Sequence, residues 1–179
     1  MQFKEVTLPA FEALGIPPSL RRDLRSNHAG ETGAVYIYRG MLHNTQDPEL
    51  VEFARTHLET EFVHLELLDR WLPRSCRSVL LPLWRLSGWL LGALAARAGR
   101  EFAFVTIAAV ERFVIAHYQA QIDHAEGDLR ALLVSLQSDE AVHRDDAELR
   151  LTRAPLWHRF WAGGVYAGSA AAVQLARRA

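Results

Sequence analysis

The chain has 179 residues, half of them hydrophobic, with a net charge of −1, so one domain of ordinary size with a sizeable core is expected. A near-neutral balance excludes global attraction to nucleic acid. The single cysteine, Cys76, excludes an intramolecular disulfide and a thiolate metal cluster and fits a reducing compartment.

In chain order, residues 1–18 read as a loose lead-in without signal-peptide form, closed by Pro17-Pro18. Ser19 is placed to cap a first helix running to about Asn44. Asp47-Pro48 combines a capping aspartate with proline at the first helical position, and predicts a second helix to about Leu72, stopped by Pro73. Val79 to Ala96 is an apolar run near the length of a membrane span, but Arg85 and Pro82 argue for a segment lying on the membrane. Gly99 precedes a third bundle helix, roughly Arg100 to Ala125. Gly127-Asp128 turns the chain into a fourth helix that ends before Pro155, and a fifth runs from Pro155 to about Arg177. Its Gly163-Gly164 and Gly168-Ser169-Ala170-Ala171-Ala172 allow either close helix packing or access for a bulky ligand.

Six residues carry the chemistry. Glu31 is followed thirty residues on by Glu61-Phe62-Val63-His64, and Glu111 twenty-nine residues on by Glu140-Ala141-Val142-His143. Residues three apart lie on one helix face, about 4.5 Å apart along the axis, so each Glu-x-x-His can reach one metal pair. Four carboxylates and two imidazoles, without thiolate, suit iron or manganese, and four negative charges balance two divalent ions.

All six positions fall on apolar stripes. These are Leu24, His28, Glu31, Val35, Tyr38, Leu42; Leu50, Ala54, His57, Glu61, His64, Leu68; Phe104, Ile107, Glu111, Ile115, Tyr118, Ile122; and Leu129, Leu133, Leu136, Glu140, His143, Ala147. Glutamate is rarely buried without a partner, and no arginine lies on these stripes, so metal is the simplest partner. The expected fold is all-α: a ferritin-like four-helix bundle built from two repeated hairpins, with residues 73–99 as the long crossover and residues 155–178 as an extra C-terminal helix.

Charge is uneven. Trp71 to Arg100 holds five arginines and no acid, and no acid follows Glu148. These regions contain all five tryptophans, Trp71, Trp84, Trp89, Trp157 and Trp161, which predicts a membrane-interfacial surface. Asp139 is placed to orient a ligating imidazole, the alternative being a solvated carboxylate. Tyr118 either borders a pocket or fills the core. His28 reads as a helix-end polar residue, His57 as core filling, and Asp145 and Asp146 as solvated.

The motifs His28-Ala29-Gly30-Glu31, Ala109-Val110-Glu111 … His117-Tyr118, Asp139-Glu140-Ala141-Val142-His143 and the C-terminal Gly168-Ser169 … Val173 … Leu175 resemble the demethoxyubiquinone hydroxylase family of ubiquinone biosynthesis, over residues 20–178. Asn27 stands where the family usually has aspartate, and Arg112 where it often has a second glutamate. The resemblance implies two iron ions (Fe2+/Fe3+), O2 as co-substrate, and ring hydroxylation of a polyprenylated demethoxybenzoquinone or its quinol. Glu61 and Glu140 would bridge the metals, and Glu31 and Glu111 would each cap one. It also implies peripheral attachment to the cytoplasmic side of a membrane (the inner membrane, if bacterial), with a polyprenyl quinone as partner and a homo-oligomer or biosynthetic complex as a further partner. The electron donor is left open. The alternatives are the same chemistry on another lipophilic aromatic substrate, or a non-enzymatic iron-binding bundle.

Overall fold

The computed structural model describes residues 8–152 and 156–179. Six α-helices account for nearly all of them: α1 (Pro18–Asn44), α2 (Pro48–Trp71), α3 (Leu81–Ala98), α4 (Arg100–Ile122), α5 (Gly127–Leu149) and α6 (Leu156–Ala176), with no strand among the described residues. The helices α1, α2, α4 and α5 form the bundle, a ferritin-like arrangement of two hairpins. The crossover between the hairpins is itself helical: α3 lies along α1, and α6 lies on α4 and α1.

Each boundary has a local cause. Asp47 Oδ1 accepts from the backbone N–H groups of Glu49 (3.0 Å) and Leu50 (3.3 Å), satisfying two of the donors that a helix start leaves open. The turns before α4 and at the start of α5 place Gly99 (φ 111°) and Gly127 (φ 56°) where an L side chain would be strained. Ser19 does not cap α1. The helix begins one residue earlier, at Pro18, whose fixed φ suits the first turn, so Ser19 lies inside it. The helix α4 ends at Ile122 rather than Ala125. The expected start of the last helix at Pro155 lies outside the described residues, and α6 is described from Leu156.

The lead-in also departs from expectation. Residues 1–7 lie outside the described residues, but Phe11 and Ile16 are buried against Leu20, Leu24, Leu68 and Leu72. Trp71 stacks edge-on against Phe11 and donates its indole N–H to Pro9 O (3.1 Å), so this segment is packed rather than loose. Trp71 is thereby partly buried and packed against the core.

The close approach of α3 to α1 rests on glycine. A Cβ added at Gly92 would lie 1.9 Å from Ile37 O, at Gly40 2.2 Å from Trp89 O, and at Gly88 2.4 Å from Gly33 O. This packing sorts the apolar residues of α3 onto two faces. Trp84, Gly88, Gly92, Ala95 and Ala96 face inward, while Leu83, Leu86, Leu90 and Leu94 face outward at helical spacing. Trp84 is therefore not at the surface. It is 8% exposed and donates to Ser78 Oγ (3.2 Å), because a buried indole N–H requires an acceptor. Trp161 similarly donates to Thr106 Oγ1 (2.8 Å), whereas Trp157 is exposed. The apolar surface is carried instead by the four α3 leucines with Val79, and on α6 by Leu156, Trp157, Phe160, Tyr166 and Leu175. No helix among the described residues is long and apolar enough to cross a membrane.

Candidate metal centre

The four stripes converge midway along the bundle, and all six sequence-selected residues are buried there. Glu31, Glu61, His64 and Glu140 offer ligand atoms within 4.8 Å of one another, and so do Glu61, Glu111, Glu140 and His143. The two groups overlap at Glu61 and Glu140. His143 Nδ1 lies 3.0 Å from Glu61 Oε1 and 3.2 Å from Glu140 Oε2, and His64 Nδ1 lies 3.2 Å from Glu140 Oε1 and 3.4 Å from Glu31 Oε2.

These are close contacts between imidazole and carboxylate. Both oxygens of Glu61, Oε2 of Glu31, Oε2 of Glu140 and Nδ1 of His143 are buried with no hydrogen-bond partner. Leaving several charged or polar atoms unsatisfied in one place is costly. Oxygen and imidazole donors that converge this way fit a pair of iron or manganese ions, and two divalent ions would satisfy the directions that hydrogen bonding leaves open.

The protonation balance points the same way. Burial, reinforced by the Glu140 charge, pushes Glu61 up to about 8 despite the opposing contact with His143. Burial and the charges of Glu140 and Glu61 raise Glu111 well above the carboxylate range. Burial would also raise Glu140, but His143 and His64 outweigh it and hold Glu140 below its usual value. Burial disfavours the charged form of His143, yet Glu140 and Glu61 lift it to about 11. Without cations, the cluster thus approaches neutrality only by taking up protons, and bound cations would compete for those same sites.

Neighbouring groups fix the orientation of the cluster. His64 Nε2 is 3.1 Å from Asp139 Oδ2, which turns Nδ1 toward the glutamates. Tyr118 donates its hydroxyl to Glu31 Oε1 (2.5 Å), and burial together with the Glu31 charge raises its own pKa well above the usual value. His57 is more than core filling: its Nε2 is 2.8 Å from Asp146 Oδ2, and its ring meets His143 edge-on at 4.4 Å. Asp146, expected in solvent, is only partly exposed and also accepts from Arg150 Nε (2.9 Å), while Asp145 is exposed. His28 is buried rather than a simple helix-end residue, with Nε2 2.9 Å from Asp69 Oδ1. These pairings span 41 to 89 residues of chain. In the sequence, Asp139 is placed to orient an imidazole, while His28 and His57 show only their positions on the apolar stripes.

An apolar cavity of about 500 Å³ opens onto the cluster. Glu31, Glu61, Glu111 and Glu140 line its floor, and its walls come from α1, α3, α4 and α6. Asn27 lines it too, but its amide is engaged with Gln121 through two hydrogen bonds of 2.7 and 2.9 Å. Arg112 lies outside it, on the exposed side, paired with Glu148 at 2.9 Å.

The fold and the cluster define a class, the carboxylate-and-imidazole helical bundles of ferritin type. Residues 18–176 match the family described as "Ubiquinone biosynthesis protein COQ7", and the chain belongs to that family. It is similar to the 3-demethoxyubiquinol 3-hydroxylase of Rhodospirillum rubrum, with 33% identity over 163 residues covering 88% of this chain and 77% of the relative. It is also similar to the NADPH-dependent 3-demethoxyubiquinone 3-hydroxylase, mitochondrial, of Dictyostelium discoideum (31% over 156 residues, 79% and 69% covered). A protein of the same name from Caenorhabditis elegans is 27% identical over 152 residues, with 80% and 81% covered.

Proposed function

We propose that this chain is an O2-dependent hydroxylase of the ring of a polyprenylated demethoxybenzoquinol in ubiquinone biosynthesis, using two iron ions held by Glu31, Glu61, His64, Glu111, Glu140 and His143. The observation that carries the proposal is the cluster of buried carboxylates, several of whose oxygens have no hydrogen-bond partner, lining an apolar cavity. Family membership and the names of the relatives supply the substrate class.

The residue roles follow from the two overlapping groups. Glu61 and Glu140 belong to both, which supports bridging; Glu31 with His64, and Glu111 with His143, would each complete one ion. Bound ferrous ions would supply the O2-activating chemistry. Asp139 holds His64 in the tautomer and orientation that aim Nδ1 at the cluster, and Tyr118 fixes Glu31. The apolar walls exclude water and receive the lipophilic ring. One oxygen atom enters a ring C–H bond and the other leaves as water, which consumes two electrons from an external donor and two protons.

In the same reading, residues 1–179 act as one domain that sits on a membrane surface and takes its quinol from the bilayer. The exposed leucines of α3 and the exposed apolar residues of α6 support this, since exposed apolar side chains near exposed arginines such as Arg85 suit a headgroup boundary.

Metal analysis tests the site. Wild type should retain two irons per chain, and Glu61→Ala or Glu140→Ala should lose the pair. Two tightly bound irons in both variants would overturn the assignment.

A further inference from the structure

Apart from the positive-φ Gly15, Gly99 and Gly127, and Gly163, which lines a separate cavity, the glycines of this chain fall into two physical groups. Gly40, Gly88 and Gly92 are packing glycines, where an added Cβ would collide with neighbouring backbone. Gly30, Gly33, Gly164 and Gly168 are different. An added Cβ meets nothing within 4 Å at any of them, and none has a positive φ. All four sit inside helices, where glycine is less favourable than any residue but proline. Their backbone therefore gives the fold nothing that alanine would not.

What the four share is the cavity, which all of them line: Gly30 and Gly33 on α1, Gly164 and Gly168 on α6. Gly164, Gly168 and Ala172 follow one face of α6 at four-residue spacing. The α6 residues lining the cavity run from Phe160 to Ala176, about 24 Å of helix. The same cavity is lined by Glu31, Glu61 and Glu140, which carry buried oxygens without a hydrogen-bond partner. The cavity is thus lined by glutamates and, along α6, by an apolar stretch that includes residues without side chains.

We propose that Gly30, Gly33, Gly164 and Gly168 are specificity-determining residues whose missing side chains make room for a branched isoprenoid tail while the ring lies at the glutamates. The substrate class rests on the function proposed above. Of the two uses that the small residues of α6 permit, the structure assigns these positions to ligand access rather than helix packing.

The test is binding of benzoquinones that share one head group and carry no tail, a decyl tail or a two-isoprene tail. It is followed by quenching of tryptophan fluorescence, since Trp84 and Trp161 line the cavity. The proteins are the full wild-type chain, Gly164→Ala/Gly168→Ala, and Gly30→Ala. The thermal midpoint should stay level or rise in the variants. The ratio of tailed to tail-less affinity should fall by about tenfold or more, as expected when methyl groups occupy space a ligand needs. An unchanged ratio overturns the proposal, and so does a lowered thermal midpoint, which would make these packing glycines after all. Hydroxylation by wild type is assayed in parallel. A tail-dependent loss of binding without any wild-type hydroxylation would sink the proposed function and leave this inference standing; wild-type turnover with an unchanged ratio would sink this inference alone.

Discussion

Replacing Leu86, Leu90 and Leu94 with glutamine should release the protein from membranes without unfolding it. The three side chains are 57%, 44% and 58% exposed, so roughly half of each is available to the bilayer. Full burial of a leucine contributes about 1.5–3 kcal/mol, so half-burial contributes about 1 kcal/mol each. Three such losses amount to about 3 kcal/mol, or about a hundredfold in the partition constant. Liposome flotation over a lipid titration measures that constant, with the thermal midpoint as the folding control. Trp84→Phe is the internal contrast: with Trp84 buried against Ser78, it should leave partitioning unchanged while costing some stability. Partitioning of the triple variant within threefold of wild type would refute the assignment of the outward face of α3 to the membrane.

Three further outcomes follow from the packing, the electrostatics and the cluster. Gly92→Ala places a Cβ 1.9 Å from Ile37 O and should destabilise by about 1–3 kcal/mol or more, seen as a lowered urea midpoint, whereas Gly168→Ala should not. Burial, with help from Arg177, lowers His117 from 6.5 to about 4, so the fold favours the neutral imidazole. Between those values the unfolded chain binds a proton that the native chain does not. The contribution is therefore complete above pH 6.5 and lost as pH falls toward 4, and His117→Gln should flatten stability against pH in that window. Asp139→Asn should keep the fold but weaken iron retention by about 10–100-fold in a chelator competition, because His64 then faces a neutral amide in place of the charged carboxylate that aims it.

The candidate metal centre was legible because its residues break a pattern. A glutamate on an otherwise apolar 3.6-residue stripe has no reason to be there unless something partners it, and four such glutamates with two histidines leave few alternatives. The helix boundaries were legible where a cap or a turn glycine sets them, as at Asp47 and Gly127. The faces of α3 were not. Both are apolar, so periodicity cannot tell Trp84, which finds Ser78 inside, from Leu90, which finds nothing outside. Nor were the polar pairs His57–Asp146 and His28–Asp69, since the identity of a histidine's partner depends on which helices become neighbours. Phe11 and Ile16 were not legible, because the one 3-10 turn Phe11–Leu14 is too short to carry a period.

Incubating the iron-loaded, reduced protein with ¹⁸O2 and a prenylated demethoxyquinol, followed by mass spectrometry of the quinone, tests the central claim most directly. The account predicts a product heavier by one labelled oxygen atom in wild type, and none in Glu61→Ala. A new ring oxygen drawn wholly from water, with solvent exchange controlled, or no product from protein carrying two ferrous ions, would contradict it.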